Sequence, residues 1–184
     1  EAGKAAKASR DRGKVVHESV KEFLTTGRET ADPAAFVIAR DIRDFLTRID
    51  AKGMSCEKSL GGLRKGYVGT PDIHVADADL AAVDALVESK EGFRARSGRG
   101  EVVIDLKCTD LAKFKKPYRE HLFQFGGYGN LLDLSGNARY VQWYADPWSA
   151  VSRTLRHDDT KLWMQAFEHL YRVWLIETGF NRNN

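Results

Sequence analysis

Apolar residues change their spacing along this chain, and each change marks an element. Val15, Val16, Val20, Phe23 and Leu24 suit a short helix from Lys14 to about Thr25, which Gly27 ends. Asp32 followed by Pro33 is a helix-start signal, and Ile38, Ile42, Phe45, Leu46 and Ile49 then recur at three- and four-residue steps. Between Met54 and Val75 the pattern breaks into short segments punctuated by Gly61, Gly62, Gly66 and Gly69, which reads as a meander of strands. Residues 78–88 predict a short helix, and 89–100, rich in glycine, serine and charge, predict a loop. Residues 101–108 (EVVIDLKC) return to β-branched and apolar types and predict a strand.

A helix is expected from Tyr118 to Leu132, although Gly126, Gly127 and Gly129 each cost it about 1 kcal/mol relative to alanine. Close approach of the backbone to a neighbouring element or ligand is a physical reason to keep them there; otherwise the helix ends early. Residues 138–145 alternate as a strand with Val141, Trp143 and Ala145 on one side. A long final helix carries Leu162, Trp163, Ala166, Phe167, Leu170, Tyr171 and Trp174 as one apolar stripe, which reads as core packing. The fold class that follows is α/β, a mixed central β-sheet flanked by α-helices.

Length and composition narrow the picture only slightly. At 184 residues the chain is about one domain long. The stretch up to Arg12 is small, polar and charged without apolar periodicity, so residues 1–12 are expected to be a mobile or trimmed segment ahead of a domain over 13–180. Hydrophobic residues at 42% and charged residues at 30% set it apart from disordered and membrane classes. No run reaches the roughly 18 apolar residues of a membrane span, and no signal-like stretch opens the chain, so a soluble intracellular setting, cytoplasmic or in a host cell's cytoplasm, is expected. Cys56 and Cys108 are too few for a disulfide framework and too widely separated for a CxxC metal pair.

The net charge of +3 matters less than where the cations lie. Lys4, Lys7, Arg10, Arg12 and Lys14 crowd the first segment. Arg94, Arg96 and Arg99 lie in the Gly/Ser-rich stretch, and Lys113, Lys115, Lys116 and Arg119 follow the strand at 101–108. Such clusters suit a polyanion, although basic runs are usually solvated loops.

Candidate chemistry comes from the two-residue period of that strand. Val103, Asp105 and Lys107 project to one face and Val102, Ile104 and Leu106 to the other. In the segment 70–75, Asp72 and His74 face one way, Ile73 and Val75 the core. If the two strands pair, the aspartates converge. Two close carboxylates repel unless a cation separates them, and hard oxygen ligands suit Mg²⁺ or Mn²⁺. A nearby lysine then orients a water and neutralises charge developing at phosphorus, which is the chemistry of phosphodiester hydrolysis. Taken singly, Asp105 and Lys107 read as an exposed ion pair and Asp72 as a turn residue. His121, Gln124 and Tyr128 lie at i, i+3 and i+7, one face of the following helix, with groups suited to a phosphate oxygen or a base.

The segments Gly69-Thr70-Pro71-Asp72, Val103-Ile104-Asp105-Leu106-Lys107-Cys108-Thr109 and Gln124-Phe125-Gly126-Gly127-Tyr128 resemble the GxxD, D-x-K-[ST] and QxxxY motifs of RecB-type, lambda-exonuclease-like nucleases of the PD-(D/E)xK superfamily. Gly13-Lys14-Val15-Val16-His17 resembles their GxxxH motif, and the order of the motifs matches over about residues 13–133. The resemblance implies a restriction-endonuclease-like core and a metal-dependent DNA exonuclease of recombination, repair or replication, phage systems included. Asp72, Asp105 and Lys107 would be catalytic, and His17, Asp72, Asp105 and the backbone carbonyl of Leu106 would bind Mg²⁺ or Mn²⁺. Gln124 and Tyr128 would contact DNA, single-stranded or at duplex ends, and Lys113, Lys115 and Lys116 would help to thread it. A single histidine on an amphipathic helix is otherwise structural, and His74 is the alternative ligand. Two cysteines cannot hold the iron–sulfur cluster of some relatives, so no cluster is expected. The partner would be DNA, with a recombination or replication protein as a further one. The rival readings are a catalytically inactive DNA-binding module and a structure-specific endonuclease.

Overall fold

A computed structural model describes residues 2–61, 66–87, 97–114, 119–132, 134, 138–157 and 160–178. Helices α1 (Ala2–Thr26) and α2 (Pro33–Arg48) lead into β1 (Lys52–Cys56), β2 (Leu60–Gly61), β3 (Val68–Gly69) and β4 (Ile73–Asp79). Then come α3 (Leu80–Leu86), β5 (Arg99–Cys108), α4 (Arg119–Leu132), β6 (Arg139–Ala145), β7 (Ser152–His157) and α5 (Thr160–Thr178). The protein is thus mixed α/β, with a five-stranded sheet in the order β1-β4-β5-β6-β7 and a separate β2–β3 ribbon. Among the described strands only β5 and β6 run parallel, and α4 lies on the connection that a parallel pair requires. Among the described residues no helix is long and apolar enough to cross a membrane.

The local signals act as their chemistry dictates. Asp32 caps α2 by accepting from the Ala35 N–H at 2.9 Å, and Pro33 supplies the first-turn φ. Asp79 caps α3 in the same way, accepting from Ala81 and Ala82. Gly27, at φ 76°, donates its N–H to Phe23 and closes α1. One helical boundary differs from expectation: α1 begins at Ala2, ahead of the predicted Lys14. Ala5, Ala6 and Ala8 are strong helix formers, so intrinsic propensity carries the turn where apolar periodicity is missing.

The sheet separates two cores. On one face Val102, Ile104, Leu106, Val141, Trp143 and Ala145 pack against apolar residues of α1, α2 and α3. On the other, Val103 and Tyr140 pack against Phe125 and Tyr128 of α4. Helix α5 lies against α4, and there the helix glycines find their reason: a Cβ on Gly126 would stand 2.2 Å from the Trp163 carbonyl oxygen. The expected close approach is made by a neighbouring helix.

Three expectations are corrected. Arg99 and Gly100, predicted as loop, belong to β5, because β4 pairs with them as Ala78↔Gly100 and Asp79↔Arg99. Strand β7 intervenes between β6 and the last helix; its sequence SRTLRH lacks apolar alternation, as suits an edge strand that pairs, among the described residues, with β6 alone. The stripe of α5 is divided: Trp163, Phe167 and Tyr171 meet Phe123 and Tyr67, whereas Leu162, Leu170 and Trp174 are exposed. A single helix laid on a second helix covers only part of its own circumference.

Candidate active site at the end of the sheet

The register of β4 and β5 decides where the acidic residues stand. The pairs Val75↔Val102, His74↔Val103 and Ile73↔Ile104 run antiparallel, and one further step sets Asp72 opposite Asp105. The neighbouring carboxylate is felt: Asp105 titrates at about 6, raised first by burial and further by the charge of Asp72, against the pull of Lys107. Asp72 is held from two sides. Its Oδ2 accepts the Leu106 N–H at 2.7 Å, and its Oδ1 lies 3.0 Å from His17 Nδ1 on α1. In an extended strand the N–H and C=O of one residue leave on the same edge, so the Leu106 carbonyl faces the edge that Asp72 occupies.

His17 is half-buried, and its desolvation opposes its charge, but hydrogen bonds to Asp72 and Cys108 outweigh that cost and raise its pKa to about 10. Sequence reasoning missed the third member of this group. Glu57 follows β1 at φ 45°, unusual for a side chain with a Cβ, and its N–H donates to the Asp72 carbonyl at 2.9 Å. Ligand atoms of His17, Glu57 and Asp72 all lie within 4.8 Å of one another, and Lys21 pairs with Glu57 at 2.7 Å. These side chains, with Leu106, line a cavity of about 10 Å³. That is room for one water-sized body. Glu57 belongs to no motif, and only the β1–β4 pairing, Cys56↔Ile73, brings it here.

Asp105 stands outside that 4.8 Å group. Its side chain is 2% exposed, and Oδ2 lies 2.8 Å from Lys107 Nζ. Lys107 Nζ also donates to Gln124 Oε1 at 2.9 Å. With that oxygen occupied as acceptor, the Gln124 amide donates to the Tyr128 hydroxyl at 2.6 Å, and the Tyr128 O–H donates to the Thr70 carbonyl at 3.0 Å. The chain Lys107, Gln124, Tyr128, Thr70 therefore ties α4 to the turn that carries Asp72. Burial raises the Tyr128 phenol far above its ordinary range, so it stays a neutral donor.

The remaining candidates lie elsewhere. His74 faces Glu101 at 2.8 Å, away from the His17 group. His121 contacts the Tyr144 hydroxyl at 3.3 Å, and burial together with Lys107 lowers its pKa. Lys113 is exposed and paired with Asp110, and Arg99 is held by Asp77 and Asp50. Arg94, Arg96, Lys115 and Lys116 lie outside the described residues. Cys56 and Cys108 are free thiols.

The donor set, two carboxylates and an imidazole beside a small cavity also lined by Leu106, suits a divalent cation that displaces the His17 proton on binding. The buried carboxyl of Asp105, with a hydrogen-bonded lysine beside it, adds an acid and a cation within reach of the same end of the sheet. Comparison of the chain with protein-family models and with curated proteins finds no match.

Proposed function

We propose that the chain is a Mg²⁺- or Mn²⁺-dependent deoxyribonuclease of RecB type on a restriction-endonuclease-like core, hydrolysing phosphodiester bonds at DNA ends as an exonuclease of recombination, repair or replication. One observation carries the reading: the His17–Asp72–Leu106 group and the Asp105–Lys107–Gln124 group meet at one end of the sheet. His17, Asp72, Glu57 and the Leu106 carbonyl would hold the ion, with Asp105 at their side. When bound, such a cation supplies Lewis-acid polarisation of a phosphodiester oxygen and a lowered pKa for water.

The chain's own groups do the rest. Lys107, fixed between Asp105 and Gln124, presents an ammonium that neutralises charge growing on the phosphoryl oxygens and orients the attacking water. Gln124 and Tyr128 hold that ammonium in register with the Thr70–Asp72 turn, and both would contact the DNA. Water exclusion by α1 and α4 strengthens each of these interactions.

The test is a nuclease assay on end-labelled single-stranded, duplex and circular DNA with Mn²⁺. Cleavage of linear substrates is expected with Mn²⁺ or Mg²⁺ and none with EDTA. Asp105→Ala and Lys107→Ala are each expected to lower cleavage by about 10²–10³-fold while remaining folded. Undiminished cleavage by both variants would overturn the assignment, and cutting of the circle would replace exonuclease by endonuclease.

A further inference from the structure

The basic segment of α1 has no part in the site as described so far. Arg10, Lys14 and His17 follow at i, i+4 and i+7, hence on one face of the helix. That face forms one wall of a groove of about 720 Å³, whose other wall is Lys107 and Cys108 of β5. The walls meet at the base beside Gly13, where an added Cβ would lie 3.5 Å from Cys108 Cβ, an ordinary packing distance. The groove therefore runs along α1 and ends at His17 and Leu106, which also line the small cavity beside Asp72.

The cations of this segment are divided by helix geometry. Arg12 points the other way, bonded to Asp32 through its two terminal guanidinium nitrogens, to the Pro147 carbonyl at 2.8 Å, and lying over Trp148. It fastens α1 to α2 and to the β6–β7 turn. Arg10 and Lys14 form no ion pair among the described residues. Opposing charge in the groove comes from Glu18 and from Glu57, and Glu57 is engaged by Lys21. By contrast Arg99 and Lys113, from the other two basic clusters of the sequence, are paired with aspartates.

We propose that the α1 groove is the track of a single nucleic-acid strand, with Arg10 and Lys14 each neutralising one phosphate as the chain runs toward His17. Four helical residues rise about 6 Å, comparable with the step between phosphates of a stretched single strand. The groove's volume, about 720 Å³, falls within the range of ligand clefts, about 300–1,000 Å³. The proposal rests on the nuclease reading for what happens at the inner end, while its binding claim needs no cleavage.

The experiment is a salt titration of binding to a fluorescent oligothymidylate, in EDTA so that nothing is cut, for the full chain and for Arg10→Gln/Lys14→Gln. Each neutralised phosphate contributes about 0.7 to the slope of log affinity against log salt for a single strand, so the double variant is expected to lose about 1.4. Given equal binding at 1 M, that is about a 25-fold weaker complex at 0.1 M salt. Lys161→Gln/Arg172→Gln, which removes two charges from α5, is expected to leave the slope unchanged. An unmoved slope in Arg10→Gln/Lys14→Gln, an equal fall in the α5 variant, or tighter binding of a hairpin duplex than of the single strand overturns the track. If wild type cleaves DNA while the slope stays put, the track fails and the nuclease reading survives. If the slope falls as expected in a chain that never cleaves, the reverse holds.

Discussion

On one face of β5, Val102, Ile104 and Leu106 are all but fully buried against α1 and α2, and on the other Val103 is followed by Asp105 and Lys107 beneath α4. The two faces are built by the same alternation and cost different things. Burial of the apolar face is non-directional and stabilises by about 25 cal/mol per Å² of surface removed from water. The other face buries a carboxylate whose pKa rises to about 6, which works against folding at neutral pH, and it holds that carboxylate through a lysine and a directed chain of hydrogen bonds. The difference teaches that one side of the strand is held by non-directional burial and the other by directed bonds between charged and polar groups.

That division can be broken deliberately. Ile104→Ala is expected to lower unfolding free energy by about 2–5 kcal/mol, with cleavage per folded molecule unchanged; urea unfolding beside an activity measurement checks it. An equal loss of activity in the folded fraction would mean that the faces are coupled. Gly126→Ala should destabilise by about 1–3 kcal/mol, since the methyl meets the Trp163 carbonyl and α5 must shift, and thermal unfolding reads it. A neutral or stabilising effect would show that α5 is loosely seated.

Tyr128→Phe sharpens the comparison within the polar face. It removes the link between Gln124 and Thr70, and should cost about 1–3 kcal/mol while lowering kcat more than it raises KM. A change confined to KM would make Tyr128 a binding residue only.

The smallest effect concerns Asp32, the cap of α2. The Arg12 guanidinium, helped by the Ala35 N–H, holds its carboxyl below the ordinary range despite some burial. A depressed carboxyl pKa contributes stability that is present above the unfolded value, about 3.9, and is lost as pH falls through the folded value. Asp32→Asn keeps the cap and removes the charge, so its unfolding midpoint should fall less steeply than wild type between pH 5 and pH 2. Parallel curves would sink this account of Asp32.

Sequence periodicity located most elements, because α2, β5 and β6 each present one apolar face to a core. It missed β7, an edge strand with mixed polarity, and put α1 too far along the chain, since alanine propensity leaves no apolar rhythm. Asp72, Asp105 and Lys107 were legible because the strand period and the motifs act over a few residues. Glu57 was not: its approach to His17 and Asp72 depends on the β1–β4 register and a left-handed backbone at one residue. The basic clusters were visible as composition, yet which cations are engaged and which line the groove was not, because an ion pair such as Arg99 with Asp50 joins residues far apart in the chain.

By itself, then, the amino-acid order determined which side chains alternate, where helices are capped, and that an acidic and a basic residue share one face of β5. Those are consequences of backbone geometry over a few residues. Tertiary structure alone decided that Glu57 joins His17 and Asp72, that Gln124 and Tyr128 fasten Lys107 to the Thr70 turn, and that Arg12 is engaged while Arg10 and Lys14 face a groove. Each of those results from strand register or from the rotation of one helix against the sheet, and a shift of a single residue would reverse it.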